Sequence, residues 1–245
     1  MNELLNKLPF KSFDKIKHHI KKQFTDVSDQ QIRAALKNRV KDRFIKMKQQ
    51  KPLMNRIFSS STGSWFHDLF ENGAERLSTR SANSSSFNPK YFHIFIRTNN
   101  RFVVAHPLQD KKTETILASY KQFCEKYKPF KLTSDQDSSL LSDASIKYLR
   151  SQDILVQSIP DQNHSALAII DRFIRTLRDW NHRMYRVKNI SIEQMTELLD
   201  LYNNTVHGSI GMTPKEIFVN RELEEKYKLK MLDLKKPTRK LEEGS

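Results

Sequence analysis

The chain has 245 residues, 43 Lys+Arg against 28 Asp+Glu, a formal net charge of +15 and a single cysteine. Such an excess attracts polyanions, nucleic acid first among them, and one cysteine excludes an intrachain disulfide framework. No apolar run approaches the roughly 20 residues that span a bilayer and no signal-peptide core follows the start, so the sequence predicts a soluble intracellular protein with no membrane partner.

The charge is uneven, with 15 Lys/Arg and 5 Asp/Glu in residues 1–60. This predicts a small, basic, all-helical domain over residues 1–50, a linker at 51–63, a main domain at 64–220 and a charged tail at 221–245. Ser12-Phe13-Asp14 begins one helix, and Ser28-Asp29-Gln30-Gln31 caps a second that contains Ile32, Ala35 and Leu36. The basic faces of these helices admit two readings, a grip on DNA backbone or a solvated lysine surface. His18-His19 is not read as a zinc site, because structural zinc takes about four ligands and the region has no cysteine. Lys51-Pro52 and the run Ser59-Ser60-Ser61-Thr62-Gly63-Ser64 mark the linker.

The main domain opens with a strand at 64–70, followed by a polar loop through Ser84-Ser85-Ser86. A hairpin of 91–98 and 101–108 then turns at Asn99-Asn100. Next come a helix at 111–127, a strand ending at Asp135, a helix at 138–150 and a strand through Ile154-Leu155-Val156. Cys124, beside Phe123, Tyr120 and Tyr127, reads as part of a buried helix face.

A long helix is predicted over 166–185, where Ala166, Ile170, Phe173, Ile174, Leu177 and Met184 form one apolar stripe. Asp171 lies outside it, and Arg175, Arg178 and His182 follow at i+4, i+7 and i+11. Taken alone, this is more commonly an exposed face with an Asp–Arg pair one turn apart, and only the company of Asp68 and Asp135 favours a site. Two further helices start at capping boxes, Ser191 with Gln194 and Thr213 with Glu216. The order of elements allows an α/β fold to gather Asp68, Asp135 and Asp171, and clustered carboxylates in a basic protein point to metal-assisted phosphate chemistry.

Over residues 62–218 the chain resembles the retroviral-type integrase family, and more closely the integrases of Polinton/Maverick elements and virophages. The family's opening Trp-x-x-Asp is similar to Trp65 to Asp68, and its hairpin with a following Pro-Leu to the stretch ending at Pro107-Leu108. Its second acid at a strand end is similar to Ser134-Asp135. Its third acid, 35 residues further on, is matched by Asp171-Arg172-Phe173-Ile174-Arg175-Thr176-Leu177. Its closing Tyr-Asn-x-x-x-His and Thr-Pro resemble Tyr202 to Pro214.

The resemblance implies an RNase H-like five-stranded mixed sheet flanked by helices, in a DNA integrase of a mobile element or virus acting in the host nucleus. It implies 3′-end processing and strand transfer by a polynucleotidyl transferase, with Asp68, Asp135 and Asp171 as catalytic residues and ligands of two Mg²⁺ or Mn²⁺ ions. Arg175, Arg178, Gln162, Asn163 and His164 would contact DNA, the partners being element ends and target DNA, and the assembly a homodimer or tetramer. The residues 162–164 are equally read as an ordinary solvent loop.

Three departures stand out. Asp171 replaces the family's usual Glu and is shorter by roughly 1.5 Å. Asp137 replaces a frequent Gly and reads as a helix cap or as an extra charge near the metals, the cap being the preferred reading. The zinc-binding cysteines of the family's amino-terminal module have no counterpart. Two alternatives therefore stand beside the integrase reading: a degenerate integrase kept for DNA binding, and an RNase H-like nuclease without transfer activity. His67, next to the first acid, is expected to point to the other side of the strand and to be structural.

Overall fold

Side-chain alternation along β1 (Ser64–Glu71) divides the hydrophobic core in two. Trp65 clusters with Phe95, Tyr120 and Phe123, whereas Phe66 and Phe70 cluster with Phe92, Ile94 and Phe173. Asp68 shares the phase of Phe66 and Phe70 and so belongs to the second face. The computed structural model describes Leu8, residues 13–37, Ser59 and residues 62–73, 88–160, 167–208 and 210–233.

β1 joins β2 (Tyr91–Arg97), β3 (Val103–Leu108), β4 (Lys131–Asp135) and β5 (Leu155–Ile159) in one sheet of order β3-β2-β1-β4-β5. The first three strands pair antiparallel, and β4 and β5 run parallel to β1. Parallel neighbours need crossovers, which α3 (Thr113–Tyr127) and α4 (Asp143–Ser151) supply while covering the Trp65 face. The opposite face is covered by α5 (Ala168–Met184) and α6 (Ile192–Asn203), through Ile170, Phe173, Leu177, Met195 and Leu198. The expected mixed sheet with flanking helices is present. Cys124 is buried on α3 as its neighbours suggest, and burial pushes its thiol up to about 12.

The Tyr202–Asn203 pair closes this arrangement. Tyr202 sets its ring edge-on against Phe173 at 4.7 Å. The Asn203 carboxamide accepts from the Val103 N–H at 2.9 Å and donates to the Val103 carbonyl at 2.8 Å. One buried side chain thus satisfies both backbone groups of a residue on the edge strand.

Four expectations need correction. The amino-terminal helices α1 (Phe13–Gln23) and α2 (Asp29–Lys37) are not packed as a separate unit: Ile16, Ile20 and Ile32 lie in the same cluster as Phe66 and Phe173. Two short helices bury too little apolar surface to hold a core alone. His19 Nε2 also meets Thr205 Oγ1 at 3.0 Å.

The tail predicted from 221 is helical as far as Asp233. It forms α8 (Arg221–Asp233) after the one-and-a-half-turn α7 (Pro214–Val219). It is anchored by Tyr227, buried with Ile210 and Ile217, and by Glu224, which pairs with Arg97 at 3.0 Å and accepts from Asn100 at 3.4 Å. The basic run 235–240 lies outside the described residues.

The hairpin does not turn in two residues. Its loop runs from Thr98 to Arg101, closed by Arg97 N–H to Phe102 O at 2.8 Å, with the left-handed position at Arg101 (φ 65°). Finally, α4 starts at Asp143 under a Ser142 cap and not near Ser138, because Asp137 caps the preceding turn through Ser139 N–H at 2.8 Å. Asp137 is a turn cap and not the cap of that helix. Among the described residues no helix is long and apolar enough to cross a membrane.

Candidate active site

Two parallel strands bring the first two acids side by side. β1 and β4 pair Phe66 with Thr133, and two residues further along each strand come Asp68 and Asp135, in the same phase and therefore on the same face. Both stand at the carboxyl end of the parallel pair, where open α/β sheets place ligands. α5 crosses this end with its first turn. Ile170 and Phe173 are buried against the sheet, and Asp171 between them lines a pocket together with Asp68 and Asp135.

The pocket has a volume of about 100 Å³. A water needs roughly 10–15 Å³ of such space, so there is room for ions with part of their hydration. Besides the acids it is lined by Ile159, Pro160, Leu167 and Ile170, with His67 at one side. Low-dielectric walls around acids make charge expensive there. Asp68 records this: its carboxyl is pushed up to about 7, first by burial, then by Asp135 against the opposing Leu69 N–H, with Asp171 and Asp137 adding to the rise.

The acids fit a hard divalent cation in kind, since oxygen ligands are what Mg²⁺ and Mn²⁺ select. As placed, however, no three acidic, imidazole or thiol groups among the described residues converge closely enough to share one ion. Two of the carboxylates are turned toward their own backbone. Asp68 Oδ1 accepts from Leu69 N–H at 2.7 Å, and Asp135 Oδ1 from Asp137 N–H at 3.3 Å.

Arg175 and Arg178 are exposed on α5, one and two turns beyond Asp171. The alternative of an Asp171–Arg175 ion pair is not realised; α5 carries its one-turn pair at Asp179 and Arg183, 3.0 Å apart. Arg178 lies over the Phe70 ring at 5.6 Å, which holds its base beside β1. Gln162, Asn163 and His164 lie outside the described residues.

His67 takes the other face, as alternation requires. It is buried, stacks on Phe95 at 5.8 Å, and its Nδ1 meets His93 Nε2 at 3.3 Å. His93 in turn reaches Ser119, which also meets His106. Burial holds His67 down at about 3 and His93 well below the usual imidazole range, so both rings are neutral. This chain of buried imidazoles was not legible in the sequence, although the cross-strand pair of His67 and His93 follows once β1 and β2 are in register. The apolar walls Ile159, Pro160 and Leu167 were likewise missed, because only the fold carries β5 and the start of α5 to the acids.

No protein-family model matches the chain, and no curated protein is significantly similar to it in sequence. Among solved structures it is similar to the catalytic core domain of BIV integrase, with a TM-score of 0.51 and 18% identity over 68% of this chain and 99% of that one. At that identity the likeness bears on the fold: an RNase H-like integrase-core architecture.

Proposed function

We propose that this chain is a DNA integrase, a polynucleotidyl transferase that trims the 3′ ends of a mobile or viral DNA and joins them to a target. The observation that carries the reading is the meeting of Asp68, Asp135 and Asp171 in one pocket of an integrase-type fold. Asp68, Asp135 and Asp171 are the residues that would hold the metal. When bound, a pair of Mg²⁺ or Mn²⁺ ions supplies activation of the attacking oxygen and neutralisation of the leaving one. The raised Asp68 carboxyl supports this assignment, because a site short of positive charge is one that a cation completes. Ile159, Pro160 and Leu167 keep bulk water from the acids, which strengthens every electrostatic contact inside. Arg175 and Arg178 receive the DNA backbone along α5, with Gln162, Asn163 and His164 approaching the end or target. Concerted joining of two ends calls for a dimer or tetramer. The resemblance of its sequence motifs to the integrases of Polinton/Maverick elements and virophages supports a mobile-element or viral origin as part of this proposal.

A second reading has two observations in its favour. The carboxylates do not converge as placed and Asp171 is a methylene short of Glu, as in a degenerate integrase kept for binding DNA. A Mn²⁺-dependent joining assay with a labelled oligonucleotide end and a plasmid target separates the cases. Joining that disappears in Asp68→Asn, Asp135→Asn and Asp171→Asn supports the integrase. Cleavage without joining gives a nuclease, and DNA binding with neither gives the degenerate form.

A further inference from the structure

We infer that the groove between α1 and residues 204–208 and 213–219 is a second DNA contact, taking a phosphodiester backbone against Lys15, Lys22 and Lys215. Only the identity of the polyanion rests on the function proposed above. The groove measures about 1120 Å³ against about 100 Å³ for the acid pocket, and the two share no lining residue. Its walls are fixed relative to each other, because Ile16 and Ile20 are buried in the common core and His19 meets Thr205 across the seam.

The charge in the groove is unbalanced. Lys17 and Lys21 are neutralised by Asp29, at 2.6 and 3.0 Å. Lys15 and Lys22 have no such partner among the described residues, and Lys215 reaches Asp200 only at 3.9 Å. Of the two lining carboxylates, Glu216 is engaged by Thr213 N–H and hydroxyl at 2.9 and 2.8 Å, and Asp14 is exposed. Thr213 chiefly, with His18 and Lys22 in support, holds the Glu216 carboxyl below its usual range. Lys15 is half-buried, and burial alone lowers its ammonium from the usual range. The same ammonium helps depress His19 and His207. A desolvated cation without a counter-ion is costly, and an anion in the groove offsets that cost.

The spacing suits a nucleic-acid strand. Seven residues of helix separate Lys15 from Lys22 by about 10.5 Å, close to the axial rise of three nucleotides at roughly 3.4 Å each. Lysines meet phosphates as point charges, so the groove positions DNA without reading its sequence.

The test is the salt dependence of duplex binding by the full chain in EDTA, where the acid pocket holds no metal and joining activity plays no part. Lys15→Glu/Lys22→Glu is compared with Lys147→Glu/Arg150→Glu, an equal charge change on the exposed side of α4. Removing two lysine–phosphate pairs flattens the log–log salt slope by about 1.8 and weakens binding roughly 60-fold at 0.1 M salt relative to 1 M. The α4 pair should change affinity less than about threefold. Lys15→Gln/Lys22→Gln, which introduces no repulsion, should reproduce the slope change, and thermal melting checks that each variant is folded. Equal slopes in the α1 and α4 variants overturn the inference, as does a weakening seen with polyglutamate or RNA but not with duplex DNA. Linear and closed circular DNA distinguish the source: a weakening on both assigns the groove to internal backbone, on the linear form alone to a DNA end. Because no metal is present, the groove stands or falls independently of whether the chain joins DNA.

Discussion

Replacing Asp68 by Asn removes a charge from a place that resists it, and without metal the fold should become more stable. Its carboxyl moves from 3.8 to about 7 on folding, so the folded state holds the proton more tightly than the unfolded chain. The sign follows directly: the cost of ionising Asp68 is absent below about pH 3.8, grows as pH rises, and is complete above about 7. Linkage gives a cost of about 2 kcal/mol at pH 5 and about 4 kcal/mol at pH 8. Asn is nearly isosteric and does not titrate, so subtracting its profile cancels the pH-independent part of the substitution. The stability gap between Asp68→Asn and wild type should therefore widen by about 2–3 kcal/mol between the two pH values, on the order of 5–10 °C in Tm for a chain of this size. Thermal melts in EDTA at pH 5, 6, 7 and 8 measure it. A gap independent of pH, or one that narrows as pH rises, refutes the claim that Asp68 is a desolvated acid crowded by Asp135 and Asp171. Added Mg²⁺ should then stabilise wild type and leave Asp68→Asn unmoved.

In the joining assay, Asp135→Asn and Asp171→Asn should each lower the metal-dependent rate by at least about a hundredfold. Asp171→Glu, which restores the longer acid, should keep activity within about tenfold of wild type or exceed it. Asn203→Ala leaves both backbone groups of Val103 without their partner and should cost about 2–4 kcal/mol, with amide hydrogen exchange at Val103 accelerated locally. Tyr202→Ala opens a cavity beside Phe173 and should cost about 3–5 kcal/mol in denaturant titration, whereas Tyr202→Phe should cost less than about 1 kcal/mol.

What the sequence shows of this protein is what short-range pattern encodes. β1 is legible because Trp65, Phe66, Leu69 and Phe70 fill both faces of a central strand, and α5 because Ile170, Phe173, Ile174 and Leu177 recur at helical spacing. The three acids could be singled out because each sits at a change of local pattern, and the parallel register of β1 with β4 then joins two of them. The misses have one cause, dependence on partners distant in sequence. Nothing near Glu224 signals a helix, since its partner Arg97 is 127 residues away. Nothing near Ile16 shows that it will share a core with Phe173. Asn99 and Asn100 suggest a tight turn, but both are buried, Asn99 tied to Ser59 and Asn100 to Glu224, and the left-handed corner passes to Arg101.

The contact between Arg97 and Glu224 bears on how far this protein can be shortened. The guanidinium sits 5.3 Å from the Phe218 ring and 5.8 Å from Trp65, in an aromatic seam at the start of β1. Cutting the polypeptide after Asn220 would remove the ion-pair partner of Arg97 and at the same time uncover Ile210 and Ile217, which Tyr227 buries. A minimal stable fragment should therefore extend through Tyr227, past residue 218 where the sequence resemblance to integrases ends.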